Sequence, residues 1–128
     1  MAQSIGEQFA DALSRKDAAE LKALLQPGLD FRAMTPRKFW ESDDPAVIVD
    51  DIMLGTWFDP TNEITSLAQV ETGSVGSRNR VAYRLEVVNG DGVHHVEQQC
   101  YFEVENGKIS WLRIMCAGYV PADAVPSG

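Results

Sequence analysis

Hydrophobic residues recur at helical spacing in the first part of the chain. A helix is predicted from Ser4 to Arg15, where Ser4 is a suitable N-cap and Glu7, three residues on, completes the pattern of a capping box. Asp17 can cap a second helix, which Pro27-Gly28 ends. The two segments predict a helical hairpin. Its apolar positions are Ile5, Phe9, Ala12 and Leu13, followed by Ala18, Leu21, Leu24 and Leu25.

A short strand and a third helix follow. Apolar and polar residues alternate from Leu29 to Met34, which predicts a strand that ends at Thr35-Pro36. Apolar residues return to helical spacing from Pro45 to Trp57. Asp43 or Asp44 can cap this helix, and Pro45 suits its first turn.

In the second half of the chain the hydrophobic period changes from 3.6 to 2, which indicates strands. Asn89–Gly92 and Glu105–Lys108 are strong hairpin turns, so we expect the last three strands to form an antiparallel meander. The fold class is therefore α+β, in one domain over residues 1–128, with an ordered core over about 4–120 and a flexible tail from Pro121 to Gly128. The strands are predicted near Asn62–Thr72, Arg78–Val88, Val93–Glu105 and Lys108–Ala117.

The acidic composition excludes some classes of partner. The net charge is −8, from 19 acidic and 11 basic residues, so the field of the protein repels nucleic-acid phosphates and anionic membranes. The N-terminus MAQSIGEQF has no basic stretch followed by an apolar run, and no apolar stretch approaches the ~20 residues that span a bilayer. We therefore predict a cytoplasmic protein with no nucleic-acid or membrane partner.

Residues that could hold a metal or a cofactor do not form a known pattern. Cys100 and Cys116 lie in predicted strands without C-x-x-C spacing, which favours two buried free thiols. The sequence also has no H-x-x-x-H motif, no EF-hand loop and no glycine-rich loop between a strand and a helix. We predict neither a metal site nor a cofactor.

The order of elements, and three short segments, resemble the nuclear transport factor 2-like (SnoaL-like) superfamily. FADALSRKDAAELKALL (Phe9–Leu25) is similar to its opening helical hairpin, and Leu29–Phe31 and the NGKI turn (Asn106–Ile109) extend the likeness over roughly Ile5 to Pro121. The resemblance implies a cone-shaped fold, in which N-terminal helices pack on a curved antiparallel sheet around a ligand pocket. Such short motifs specify the fold far better than the activity.

The enzymes of this superfamily are not matched residue by residue. A ketosteroid isomerase would need a tyrosine, an aspartate base and a buried acid at positions that hold Phe9, about Thr35, and Cys100. A limonene epoxide hydrolase would need a pair of aspartates that the inferred inward positions lack. A scytalone dehydratase-like site would need pocket histidines, but His94 and His95 are neighbours on a strand, so at most one faces the pocket. No catalytic residue is assigned.

Two of the predicted strands carry polar residues on the face that should meet the helices. Tyr83 and Gln98 are the polar members of this inward set, and they either orient a ligand or only satisfy each other. Trp40 and Trp57 bracket the third helix and either form a ligand wall or cap the core. The inward positions are Val81, Tyr83, Leu85 and Val87 on one strand and Val96, Gln98, Cys100, Phe102 and Val104 on the next.

The register of the last strand depends on its turn. A two-residue type I′ turn would bring Trp111, Arg113 and Met115 inward, with Arg113 as an anion anchor. A three-residue turn with a glycine bulge would shift the register by one, and we favour it because it leaves the inner face apolar. This register places Leu112, Ile114 and Cys116 inward, opposite Cys100, Gln98 and Val96, and places Arg113 outside with Glu97 and Glu86. The candidate ligand-binding residues are thus Trp40, Trp57, Tyr83, Gln98, Cys100 and Ile114.

Two functions fit these patterns. The first is a small-molecule-binding protein with an apolar pocket in the cone, which can also be an isomerase, cyclase or dehydratase acting on a hydrophobic, polyketide-like or steroid-like ligand. The alternative is a non-catalytic dimeric interaction module with a filled core. Tyr101, Trp111 and Met115 on the outer sheet face predict a homodimer in either case. A ligand protein should leave a cavity of some hundreds of Å³.

Overall fold

The computed structural model describes residues 3–123. Helices pack on one side of a curved, mostly antiparallel sheet, which confirms the predicted α+β class. Pro121 of the predicted flexible tail pairs in a short strand, and residues 124–128 lie outside the described residues. The elements are α1 (Ile5–Ser14), α2 (Ala18–Leu24), β1 (Leu25–Thr35), β2 (Lys38–Ser42), α3 (Val47–Trp57), β3 (Glu63–Val75), β4 (Arg78–Asn89), β5 (Gly92–Glu105), β6 (Lys108–Cys116) and β7 (Val120–Pro121).

The N-terminal helical hairpin has the predicted caps. The backbone N–H of Glu7 donates to Ser4 Oγ over 3.2 Å, and the backbone N–H of Ser4 donates to Glu7 Oε1 over 3.1 Å. The Asp17 carboxylate accepts from the backbone N–H of Glu20 over 3.0 Å and so caps α2. These bonds satisfy donors that a helix start leaves free.

The end of the second helix differs from the prediction. Leu25, which we expected in the helix, has extended backbone angles (φ −103°, ψ 132°) and is the first residue of β1. β1 thus begins four residues before Leu29 and contains Pro27-Gly28, where its pairing with β6 is irregular. The helix thus ends before Pro27, and the left-handed Gly28 (φ +81°) lets the chain bend without ending the strand.

A hairpin partner of β1 was not predicted. Arg37 adopts a left-handed conformation (φ 69°) in a tight turn, and β2 returns antiparallel to β1 with Trp40 opposite Ala33. The sequence KFWES of this edge strand is short, and two of its five residues are charged, so it shows little alternation.

The sheet order is β2-β1-β6-β5-β4-β3, with β7 beside β5. β3 to β6 form the antiparallel meander, which includes one more strand than we expected. β1 is parallel to β6. The part of the chain before β3, which includes the N-terminal helical hairpin and α3, is therefore joined to the meander through the pairing of β1 with β6. This arrangement encloses the hydrophobic core between the helices and the inner face of the sheet.

The inner and outer faces of the central strands are as predicted. On β4 every second residue from Val81 to Val87 is buried, and on β5 burial alternates from His94 to Phe102. Tyr83 lies directly opposite Gln98 in the pairing of the two strands. The predicted inward position of Val104 does not hold fully, because its side chain is 37% exposed near the end of the hairpin.

The register of β6 combines features of both turns that we considered. The turn has two residues, Asn106 (φ 54°) and Gly107 (φ 79°), both left-handed, as type I′ requires. The extra residue is Ser110 within the strand, since Val104 pairs with Ile109 and Glu103 pairs with Trp111. The prediction of a three-residue turn was therefore wrong. The inward face that we derived from it for Leu112, Ile114 and Cys116 is correct, and Ile114 is buried.

The partners of β6 also differ from the prediction. Leu112, Ile114 and Cys116 lie opposite Phe102, Cys100 and Gln98, two residues away from the expected partners. Arg113 points outward as expected, but its guanidinium is 3.1 Å from Asp30 Oδ1 and not beside Glu97 or Glu86. The parallel neighbour β1 supplies Asp30, and β1 was not placed beside β6 from the sequence.

The third helix is wider than an α-helix. Its backbone hydrogen bonds run over five residues, as from the N–H of Phe58 to the carbonyl of Met53 over 2.8 Å. The Thr56 side chain adds a bond from Oγ1 to the carbonyl of Asp51 over 2.8 Å. Gly55 is required, because a Cβ added there would lie 2.4 Å from the carbonyl oxygen of Asp50. Within residues 3–123 no helix has the length and apolar character needed to cross a bilayer.

Replacement of Gly55 by alanine should destabilise the protein by about 1–3 kcal/mol, because the backbone of α3 must rearrange to remove the clash. In an ordinary helix the same change would stabilise by up to about 1 kcal/mol, so the sign of the effect is informative. Urea denaturation measures the free energy of unfolding. Gly90→Ala is the control, since a Cβ there meets no atom within 4 Å. A stabilised Gly55→Ala variant would contradict the wide helix.

Candidate functional site

The inner face of the central strands carries a small polar cluster. Tyr83 Oη donates to Gln98 Oε1 over 2.5 Å and lies 3.8 Å from Cys100 Sγ. All three side chains are at most 2% exposed. Ile114, the fourth sheet residue among the candidates, is opposite Cys100 on β6 and is 3% exposed. Strand alternation and the β4–β5 register therefore bring four of the six candidates together.

The two tryptophans lie side by side on β2 and at the end of α3. The ring centroids of Trp40 and Trp57 are 6.0 Å apart in an edge-to-face arrangement, and Phe31 lies 6.4 Å from Trp57. Trp40 is half-buried and its indole N–H donates to Thr35 Oγ1 over 2.9 Å. Trp57 is 7% exposed.

Two buried N–H donors at these positions have no hydrogen-bond partner among residues 3–123. They are Trp57 Nε1 and Gln98 Nε2; the third buried unpaired nitrogen, Arg84 Nε, belongs to a side chain that pairs with Glu97 on the outer face. A buried donor that is left unpaired costs about 1–3 kcal/mol, so native proteins rarely retain one without a reason. The Tyr83–Gln98 bond satisfies only the amide oxygen of Gln98, and both donors remain free to bind an acceptor.

The electrostatics of the inner face keep its titratable groups neutral. Burial raises the pKa of the Cys100 thiol to about 12. Burial also raises the pKa of Tyr83 well above its usual value of 10.0, and the neighbouring thiols add to this effect. Among residues 3–123 the buried polar side chains other than tyrosine and tryptophan are His94 and Gln98, so no carboxylate lies in the core. The cluster can donate hydrogen bonds, but it offers no strong base.

One histidine does face inward, beside a tyrosine that the sequence did not single out. His94 is buried, with Nδ1 3.2 Å from the carbonyl oxygen of Gly92, and its ring lies 5.9 Å from the ring of Tyr119. The Tyr119 hydroxyl donates to the backbone carbonyl of Trp57. Tyr119 follows the end of β6 in a segment without periodicity, so no sequence signal could place it.

One open surface depression, of about 520 Å³, is lined in part by Tyr83 and Gln98 of the polar cluster, together with Ala117. On the helix side core side chains cover the cluster, and the ring of Phe9 on α1 is 6.5 Å from that of Tyr83. A more apolar depression, of about 510 Å³, lies on the outer face of the sheet. Its main lining residues are Arg32, Met34, Phe39, Tyr101, Arg113 and Met115.

The outer face is more apolar than the sequence indicated. Met115 is 56% exposed, as predicted, and Met34 and Phe39 of the β1–β2 hairpin add 45% and 55% exposed side chains. Trp111, which we expected to be exposed beside charges, is half-buried between Arg78 and Arg113, whose guanidinium carbons lie 4.0 and 4.4 Å from its ring centroid. No cluster of three or more potential metal-ligating side chains occurs in residues 3–123.

No protein-family model matches the chain, and no curated protein matches it. Solved structures do. A protein of ketosteroid isomerase-like fold from Catenulispora acidiphila, solved in complex with trimethylamine, has a TM-score of 0.72 at 11% identity, over 98% of this chain and 100% of that one. A LEH-like epoxide hydrolase from M. tuberculosis has a TM-score of 0.66 at 16% identity, over 88% and 79%. A candidate polyketide cyclase from Xanthomonas campestris has a TM-score of 0.66 at 13% identity, over 87% and 86%.

These identities are too low to transfer an activity, but the likeness extends over nearly the whole length of both chains. It agrees with the element order and with the helices packed on a curved sheet. The chain has the nuclear transport factor 2-like fold that its sequence resembles, the fold shared by ketosteroid isomerase-like, epoxide hydrolase-like and polyketide cyclase-like structures.

Proposed function

We propose that the protein binds a small, neutral, largely apolar molecule with a hydrogen-bond acceptor, such as a ketone or a cyclic ether. The observation that carries this proposal is the pair of buried, unpaired donors, Trp57 Nε1 and Gln98 Nε2. An acceptor on the ligand would remove the cost of about 1–3 kcal/mol that each free donor imposes. The candidate set Trp40, Trp57, Tyr83, Gln98, Cys100 and Ile114 would surround this ligand.

Charge considerations favour a neutral ligand. The buried residues in the described part of the chain include no lysine or arginine, so an anion would lose its hydration without gaining a counter-charge. The net charge of −8 adds an unfavourable long-range field. A carbonyl or ether oxygen can accept a hydrogen bond from such a donor and avoids this penalty.

The same groups support binding more strongly than catalysis. An isomerase, cyclase or dehydratase of this kind needs a base near neutral pH, and the raised pKa values of Tyr83 and Cys100 keep both groups protonated there. The structures of similar fold include an epoxide hydrolase-like protein and a candidate polyketide cyclase. They support a hydrophobic small molecule as the class of ligand. A cytoplasmic location and the lack of a nucleic-acid partner remain predictions from sequence.

A homodimer through the outer sheet face is the second candidate, and the apolar depression on that face supports it. Met34, Phe39, Tyr101 and Met115 are each 37–56% exposed there. A two-fold contact would cover the same patch on both copies, and stable interfaces bury roughly 800 Å² from each partner. Since the dimer surface lies on the opposite side of the sheet from the polar cluster, dimerisation and ligand binding are compatible.

Gln98→Leu should weaken binding of a neutral ketone by roughly 10- to 100-fold, because it removes one of the two free donors. The loss of affinity is measured by thermal shift with prodan, a neutral naphthalene ketone, as the probe. Panels of steroids, terpenoids and fatty acids are screened in the same way. Saturation at about 100 times Kd stabilises a protein by about 2.7 kcal/mol. Gln3→Leu is the control, since Gln3 is exposed before α1, away from both faces of the central strands. Equal shifts in the wild type and Gln98→Leu would exclude this amide from the site.

The stability of the protein should fall at alkaline pH. The Cys100 thiol has its pKa raised from 9.0 to about 12, so the unfolded chain loses this proton more easily. The stabilisation is complete below about pH 9 and is lost as the pH rises towards 12. Urea denaturation from pH 8 to 11 should show this decrease, which the Tyr83→Phe, Cys100→Ala double variant reduces. Cys116→Ala is the control. An unchanged decrease in the double variant would show that other groups cause it.

Met115→Glu should convert the dimer to a monomer, because a two-fold contact would bring two carboxylates into one apolar interface. Size-exclusion chromatography with light scattering distinguishes the 14.1 kDa chain from a particle of twice its mass. Val75→Glu is the control, since Val75 is 76% exposed on β3, away from the patch. A monomeric wild type, or a dimeric Met115→Glu variant, would reject this interface.

A further inference from the structure

The segment that follows β6, Ala117 to Pro121, runs from the neighbourhood of Gln98 to the backbone of Trp57. We call it the C-terminal strap. It starts next to Cys116, which pairs with Gln98, and it reaches the end of α3, where the Tyr119 hydroxyl bonds to the carbonyl of Trp57. One short segment therefore connects the surroundings of both free N–H groups.

The strap is positioned by one aromatic side chain and one glycine. The Tyr119 ring lies 6.2 Å from that of Phe58 and 5.9 Å from that of His94. Burial raises the pKa of Tyr119 above its usual value, so its hydroxyl keeps its proton and donates. Gly118 is left-handed (φ +87°), and a Cβ added there would lie 2.8 Å from Cγ of Pro36 in the β1–β2 turn. The strap thus touches three separate elements.

The strap has fewer backbone pairs with the sheet than the strands of the meander have with each other. β7 pairs with β5 at two positions, whereas β4 pairs with β5 at eleven. Two further backbone bonds, from Ala117 to Glu97 and from Ala122 to Val93, flank this pairing, and Pro121 has no N–H to donate. Val120 is 45% exposed, so little apolar burial holds its end. Segments of this kind open locally at a small fraction of the global unfolding free energy.

We propose that the C-terminal strap is a gate, latched by the Tyr119–Trp57 hydrogen bond, whose opening admits small neutral molecules to the Trp57 N–H and the Gln98 amide. The proposal rests on the proposed function for the identity of the admitted molecule, but the gate itself can be tested without a ligand. It also explains how a site without an enclosed cavity can bind, because the space is created when the strap moves.

Tyr119→Phe removes the latch and keeps the ring. In a Trp40→Phe, Trp111→Phe background, where Trp57 is the single indole, we expect acrylamide to quench its fluorescence several-fold more efficiently after this change. Hydrogen exchange should accelerate about tenfold or more at the amides of Ala117 and Ala122, with those of β4 unchanged. Thr65→Val is the matched control, since it deletes a hydroxyl that bonds to Glu86 at a remote, exposed site.

Unchanged quenching in Tyr119→Phe would overturn the gate, as would exchange that accelerates equally in β4, because that result indicates general loosening. The association rate of prodan separates the gate from the proposed function. Faster quenching without prodan binding to any variant would keep the gate and reject the ligand class. Prodan binding at an equal rate to wild type and Tyr119→Phe, with unchanged quenching, would keep the ligand class and reject the gate.

Discussion

The extra residue Ser110 determines which face of the sheet each later residue of β6 occupies. Up to Ile109 the strand follows the register of the tight Asn106-Gly107 turn. Beyond Ser110 every side chain lies on the face opposite to the one that it would occupy in a strand without the extra residue. Ile114 thereby meets Cys100 in the core, and Arg113 reaches Asp30 on the neighbouring β1. The inward position of Ile114 beside the polar cluster and the outward position of Met115 in the apolar patch both depend on this single insertion.

The inner face combines a well-packed apolar core with a few polar atoms at its centre. Tyr83 and Gln98 satisfy each other in part, and this bond fixes the amide so that its N–H groups point away from the tyrosine. An apolar core of the same shape would be simpler and more stable, since each free donor has an energetic cost. The retention of Gln98 and of the Trp57 indole in such surroundings is therefore better explained by binding than by folding.

Local chemistry made part of this structure predictable. The Ser4–Glu7 capping box and the alternation that pairs Tyr83 with Gln98 depend on neighbouring residues and on a tight turn, and both were found from the sequence. The partner of Arg113 depends on a contact between segments far apart in the chain. Tyr119 belongs to the same class, because its role arises only where the chain passes Trp57. The inward positions of the sheet residues were thus predictable, whereas the position of Tyr119 was not.

The outward position of Arg113 has a consequence for folding. Type I′ hairpins close within about 1–10 μs, and the Asn106-Gly107 turn is compatible with a straight β6 as well as with the bulged one. A straight β6 would place Arg113 in the core opposite apolar side chains, where an unpaired charge costs several kcal/mol. Arg113 thus penalises the misregistered hairpin, and the early intermediates that carry it should be short-lived on the way to the native sheet.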